Sequence, residues 1–169
     1  YVRKEHDQLN KLREALKNPK DLITALTSLI QDNNKLKKEV EKSVQEKIQL
    51  LKTSLKDKVI LLNGVNLIAE EVDLPNADAV KNLAFAMKGL IPKDLFLVLG
   101  ANIENKPHLA VMISENLINE RGFDASKTIR EIAKEIKGGG GGQAFFATAG
   151  GKDLAGLKIA LQKVKDTIS

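Results

Sequence analysis

The chain has no cysteine and no tryptophan, one tyrosine, and two histidines (His6 and His108) in 169 residues. Without cysteine there is no disulfide scaffold, thiol nucleophile, zinc ribbon or cysteine-ligated iron–sulfur cluster. Two histidines exclude a His-rich metal site. Aromatics make up 4% of the chain, which excludes a Tyr- and Trp-rich recognition surface or a broad platform of stacking rings. No apolar run reaches membrane-spanning length, and the start has no leader-like pattern. The first residue is Tyr1 rather than Met, which points to a piece of something longer. What is present suits a soluble, cytoplasmic chain. It is 43% hydrophobic and 29% charged, and 18.5 kDa is enough for one core plus an extended arm.

The net charge of +5 is unevenly spread. Residues 1–57 hold 13 Lys/Arg against 9 Asp/Glu, 58–124 hold 6 against 9, and 125–169 hold 8 against 4. Two basic ends flank an acidic middle, a pattern that fits a polyanion partner. A solvated, Lys-rich helical surface gives the same numbers. Arg13, Lys17, Lys35, Lys37, Lys38 and Lys42 are the basic set of the first block.

Residues 1–57 read as a helical arm. Leu9, Leu12 and Leu16 fall on one helical face. Asn18-Pro19-Lys20-Asp21 interrupts and restarts, with Asn18 as N-cap, Pro19 at the first helical position and Asp21 on the positive helix end. Leu22, Leu26, Leu29, Asn33, Leu36 and Val40 keep a 4-3-4-3-4 rhythm, which Val44, Ile48, Leu51 and Leu55 continue. A helix from Pro19 to Asp57 spans roughly 55–60 Å. Its narrow apolar stripe calls for a partner helix, from the preceding segment or from a second copy.

Residues 58–169 read as a globular α/β domain. Val59–Leu62, Asn63-Gly64 and Val65–Val72 predict a hairpin with a type I′ turn. A helix starts near Asn76. Leu95–Gly100 and His108–Ser114 read as buried strands joined by a polar turn over 102–107. Residues 117–123 read as irregular. Asp124 or Ser126 caps a helix over 127–136, Ala147–Ala149 reads as a fifth strand, and Asp153 opens a last helix. The fold class is α+β, an α/β sandwich with a mixed sheet and helices behind a long helical or coiled-coil arm.

The glycine tract bears the chemistry. Lys137 is followed by Gly138, Gly139, Gly140, Gly141 and Gly142, then Gln143. Five glycines in a loop carry a large backbone entropy cost, so something must compensate. Either the segment is a linker, or the backbone approaches a phosphate, a ribose or a packed strand closely. Gly150, Gly151 and Lys152 precede the last helix, whose positive end suits an anion. Lys137 and Lys152 bracket the loop as candidate phosphate contacts. Neither G-x-G-x-x-G nor G-x-x-x-x-G-K-[ST] fits. His108 reads as a structural or edge histidine and His6 as a solvated one. Glu70, Glu71 and Asp73 read as a solvated strand end.

From Lys137 through Ala147-Thr148-Ala149-Gly150-Gly151, the sequence resembles the C-terminal signature of alanyl-tRNA synthetases. That signature is a lysine, five or six glycines, a variable stretch, then Ala-x-Ala-Gly-Gly. The Asn18-Pro19 break in a Lys/Glu/Leu-rich arm and the Asn63-Gly64-Val65 hairpin resemble the same family. Gln143-Ala144-Phe145 stands where the family often has Arg-Pro-Asp. The resemblance implies an ATP-dependent alanine–tRNA ligase whose aminoacylation and editing sites, with ATP and zinc, lie outside this chain. It implies a C-terminal, non-catalytic part that binds alanine tRNA and in some members dimerises. The implied contacts are Lys137, Gly138–Gly142, Gln143, Gly150, Gly151 and Lys152, with Phe145 or Phe146 on a base or in the core. The resemblance extends to an accessory domain of DHH-type phosphoesterases. The substrate lobe of such an enzyme, or a purely structural dimerisation module, is the alternative.

Overall fold

A computed structural model describes residues 2–168, with side chains from residue 4 onward. The chain forms two compact units, Tyr1–Ser43 and Val44–Ser169.

The first unit contains α1 (Val2–Ala15) and the beginning of α2 (Leu22–Lys56). The interruption lies where the sequence puts it, but the cap is a different residue. Lys17 and Asn18 have φ of 62° and 53°, a left-handed pair that closes α1. An N-cap instead needs extended backbone, so Asn18 does not fill that role. Asp21 does: its carboxylate accepts from the N–H groups of Ile23 and Thr24 at 3.0 and 3.3 Å, and from the Thr24 hydroxyl. Pro19 therefore lies outside the helix. The stripe of this unit stays open to solvent, with Leu9, Leu12, Leu26, Leu29, Leu36 and Val40 all exposed.

The second unit is built on one mixed sheet. Its strands are β1 (Ile60–Leu62), β2 (Val65–Val72), β3 (Leu95–Ile103), β4 (Lys106–Ile113), β5 (Gly139–Gly142) and β6 (Phe146–Gly150). The order across the sheet is β1-β2-β3-β4-β6-β5. Only β2 and β3 run parallel, because α3 (Ala77–Leu90) carries the chain back between them. The β1–β2 turn is the predicted one, with φ of 50° at Asn63 and 77° at Gly64. The Asn76 side chain accepts from the Ala79 N–H and caps α3.

Three boundaries differ from the sequence reading. The polar turn over 102–107 shrinks to Glu104-Asn105, both left-handed at φ of 51° and 61°, so β3 and β4 extend to meet it. Residues expected to be irregular form α4 (Glu115–Arg121). It ends on Gly122, whose left-handed N–H bonds back to Ile118 and Leu117. The next helix, α5 (Ala125–Ile132), is capped by Asp124 and is shorter than expected.

Alternation along the strands divides the core into two layers. Val65, Leu67, Val98, Leu109 and Val111 pack against α5 and α6 (Gly156–Ile168). Ile68, Leu97, Leu99, Ala110 and Met112 pack against α3 and against Ile48 and Leu55 from the last turns of α2. The sheet is thus sandwiched between helices on both faces.

Candidate nucleic-acid interface

The glycine tract, expected to be a loop, is a strand. β5 pairs antiparallel with β6, with Gly139 opposite Gly150, Gly140 opposite Ala149, Gly141 opposite Thr148 and Gly142 opposite Ala147. Glycine is disfavoured in strands because it has no side chain to pack. Here the missing side chain is the requirement at alternate positions. A Cβ at Gly138 would stand 2.0 Å from the Gly150 carbonyl oxygen, one at Gly140 2.2 Å from that of Thr148, and one at Gly142 2.4 Å from that of Phe146. At Gly139 and Gly141 a Cβ would meet nothing within 4 Å, nor would it at Gly150. None of these last three has the left-handed φ that would call for glycine.

Register shows where the unencumbered glycines face. His108, Ala110 and Met112 of β4 lie beside Gly150, Thr148 and Phe146 of β6. Gly141 and Gly139 continue that face beside Thr148 and Gly150. It is the α3 face, since Ala110 and Met112 belong to the layer that α3 covers. α3 packs on β3 and β4, leaving Gly139 and Gly150 exposed and Thr148 half-buried as a strip of bare sheet.

A cavity of about 520 Å³ opens at the His108 end of this strip, lined by Lys106, His108, Lys137, Gly139, Gly150 and Lys152 among others. Gly138 and Gly151 also border it, with Ala77 on the α3 side. The structure thus gathers six of the expected contacts around one space. Gly140 points away from the strip. Gly142 and Gln143 lie at the opposite end of β5.

The electrostatics of the cavity differ from the sequence reading. Gly138, Gln143, Gly151 and Lys152 do not form a nest of free donors, because their N–H groups bond to the carbonyls of Ala133, Phe146, Pro107 and Ile136. Lys137 closes the turn after α5 in the left-handed region, at φ 49°. Its ammonium pairs with Asp153 at 2.9 Å. That contact holds the Asp153 carboxyl below the usual carboxylate range. Asp153 also accepts from the Ala155 N–H just before α6, so a carboxylate of the chain itself sits where an anion was expected. Among the described residues Lys106 and Lys152 have no ion-pair partner.

Two cavity-lining residues are not among the expected contacts: Lys106, and His108, which reads from the sequence as a structural or edge histidine. His108 Nε2 is a buried polar atom with no hydrogen-bond partner among the described residues. Burial also pushes the imidazole pKa below its ordinary value, favouring the neutral ring. Only the long-range register of β4 on β6 brings these two residues to the glycines.

Other residues fall elsewhere. Phe145 and Phe146 are half-buried against the α3 layer. Phe146 lies 5.4 Å from Phe85, and the Lys88 ammonium lies 5.2 Å from the Phe145 ring centre. Glu70 pairs with Lys58 at 2.8 Å and with Lys165 at 3.8 Å. The basic set from Arg13 to Lys42 belongs to the Tyr1–Ser43 unit. Among the described residues no three His, Cys, Asp or Glu side chains converge as a metal site. No helix of the described residues is long and apolar enough to cross a membrane.

A helix-flanked mixed sheet with a glycine edge strand defines a domain class before any name does. The family model described as the DHHA1 domain matches residues 64–169, and the chain belongs to that family. Its curated relatives bear out the resemblance to alanyl-tRNA synthetases. The alanine–tRNA ligase of Cytophaga hutchinsonii is 43% identical over 168 residues, covering 99% of this chain and 19% of the relative. That of Bacteroides fragilis is 44% identical over 158 residues, covering 94% of this chain and 18% of the relative. The chain thus spans about a fifth of the length of such relatives. Among solved structures, the C-Ala domain from Aquifex aeolicus alanyl-tRNA synthetase has the same fold. The TM-score is 0.59 at 23% identity, covering 66% of this chain and 97% of that one.

Proposed function

We propose that this chain is the tRNA-contacting, non-catalytic part of an alanine–tRNA ligase, holding alanine tRNA for aminoacylation and editing in the cytoplasm. The observation that carries the reading is the strip of Gly139, Gly141 and Gly150. These positions need no glycine for the chain's own packing, and Gly139 and Gly150 lie open beside Lys106, Lys137 and Lys152, with Gly141 next along the strand. Bare backbone flanked by cations lets an RNA backbone approach closely without reading sequence. The names of the relatives support tRNA as the RNA. ATP and zinc belong, on this reading, to other parts of the ligase. The phosphoesterase alternative is not favoured, because the relatives are ligases.

The test is binding of alanine tRNA across a salt series. Lys106→Ala with Lys152→Ala is expected to weaken binding about ten-fold and to lower the salt slope by about 0.7–0.9 for each phosphate no longer neutralised. An unchanged affinity and slope would sink the assignment.

The arm supports self-association. Leu26, Leu29, Leu36 and Val40 of α2 are 44% to 60% exposed on a stripe at helical spacing, and such a stripe is stabilised by a partner helix. Sedimentation at two concentrations is expected to show a dimer that Leu29→Lys with Leu36→Lys converts to monomer. A monomer throughout removes this second role.

A further inference from the structure

The bare strip does not end at the cavity. It continues along β6 to an aromatic ledge that plays no part in the lysine-flanked cavity. We infer that the groove between α3 and the glycine strip holds a short unpaired stretch of RNA, with one base stacked on Phe85. This inference rests on the reading of the glycine face as an RNA contact and names the form of RNA that the face takes.

Helical spacing lays out one wall. Ala77, Lys81, Phe85 and Lys88 recur at +4, +4 and +3 and so share a face of α3. Ala77 borders the cavity, and Phe85 touches Phe146 at the other end of the strip. The floor is laid out by strand alternation, running from Gly150 through Thr148 to Phe146, with Gly139 and Gly141 alongside. Two independent rulers agree on the length. Ala77 to Phe85 is about 12 Å at 1.5 Å per helical residue, and His108 to Met112 is about 13 Å at 3.3 Å per strand residue. That distance takes about four stacked nucleotides at ~3.4 Å each.

The chemistry changes along the groove in the order a single strand needs. Lys106 and Lys152 stand at the cavity end, Lys81 on the wall, and Lys88 at the ledge over Phe145. Glu104 lines the cavity end, Asp153 pairs there with Lys137 at 2.9 Å, Asp78 follows Ala77 on α3, and Glu115 pairs with Lys88 at 3.5 Å. With Lys88 and Lys137 so paired, Lys81, Lys106 and Lys152 remain against Glu104 and Asp78. A lone exposed phenylalanine is ordinary on a protein surface. Phe85 is different because it is 42% exposed, is backed by Phe146, and is flanked on its own helix face by two lysines. Aromatic rings beside cations are how proteins hold unpaired bases of any sequence. A duplex keeps its bases stacked inside and has nothing to lay on such a ring.

The test uses the whole chain with a short single-stranded oligoribonucleotide and a duplex of the same length. Phe85→Ala is expected to weaken single-strand binding about ten-fold while leaving duplex binding unchanged. Phe85→Trp, which creates the single tryptophan of the chain, is expected to retain affinity and to lose fluorescence as the single strand binds. Equal loss on both probes, no loss on either, or an unresponsive tryptophan overturns the inference. So does self-association that Phe85→Ala abolishes, which would assign the ledge to a second copy. The lysine pair separates the two levels. If Lys106→Ala with Lys152→Ala weakens tRNA binding while Phe85 is silent, only the groove fails. If the lysine pair is silent too, the reading beneath it fails.

Discussion

Gly138, Gly140 and Gly142 differ from Gly139 and Gly141 by one step along the same strand, yet they are glycine for different reasons. The first set is fixed by contact inside the fold, since any Cβ would run into the backbone of β6. The second set faces open space with ordinary extended backbone. A constraint with no internal cause points outward, to something that comes close. The contrast separates what the strand does for folding from what it offers a partner.

The contrast can be broken by substitution. Gly140→Ala is expected to destabilise by about 3 kcal/mol or more, because the neighbours that must give way are main-chain atoms. Gly141→Ala is expected to leave stability unchanged or raise it by about 0.5 kcal/mol, through a less flexible unfolded chain, while lowering tRNA affinity. Urea unfolding checks the first property and tRNA titration the second. Equal destabilisation by the two variants would erase the distinction.

A smaller effect sharpens the picture at the cavity. His108 is held neutral by burial, so its folded-state pKa lies below its ordinary value. Its contribution to stability is full above the ordinary value, near ~6.5, and is lost as pH falls from there toward the folded value. The urea midpoint is expected to drop over that window, and His108→Phe is expected to flatten the drop. A midpoint equally pH-dependent in both proteins would show that other groups carry it.

The sequence was most legible where structure is local. Asn63-Gly64 needs two left-handed residues and uses two that tolerate them. Asn76 caps the helix it precedes. The misses have physical causes. Glu104-Asn105 makes the same kind of turn without a glycine, so it gives no signal. α4 is seven residues long and buries only Leu117, too little for a period to register. β5 has no period because it is one residue repeated. At the site, Lys137 and Lys152 were legible as neighbours of the tract, but the pairing of Lys137 with Asp153 was not. Lys106 and His108 lie far upstream in the chain, and only the pairing of His108 with Gly150 brings them in.

A strand spelt in a single residue has no reading frame. Sliding an ordinary strand by one position exchanges everything it shows to its two sides. Sliding β5 by one shows glycine to both sides again. Its frame is imposed from its ends, by the Gly138 N–H on the Ala133 carbonyl and the Gln143 N–H on the Phe146 carbonyl. A slip of the run is therefore opposed by these two end contacts and not by its side chains, so the ends rather than the glycines hold its register.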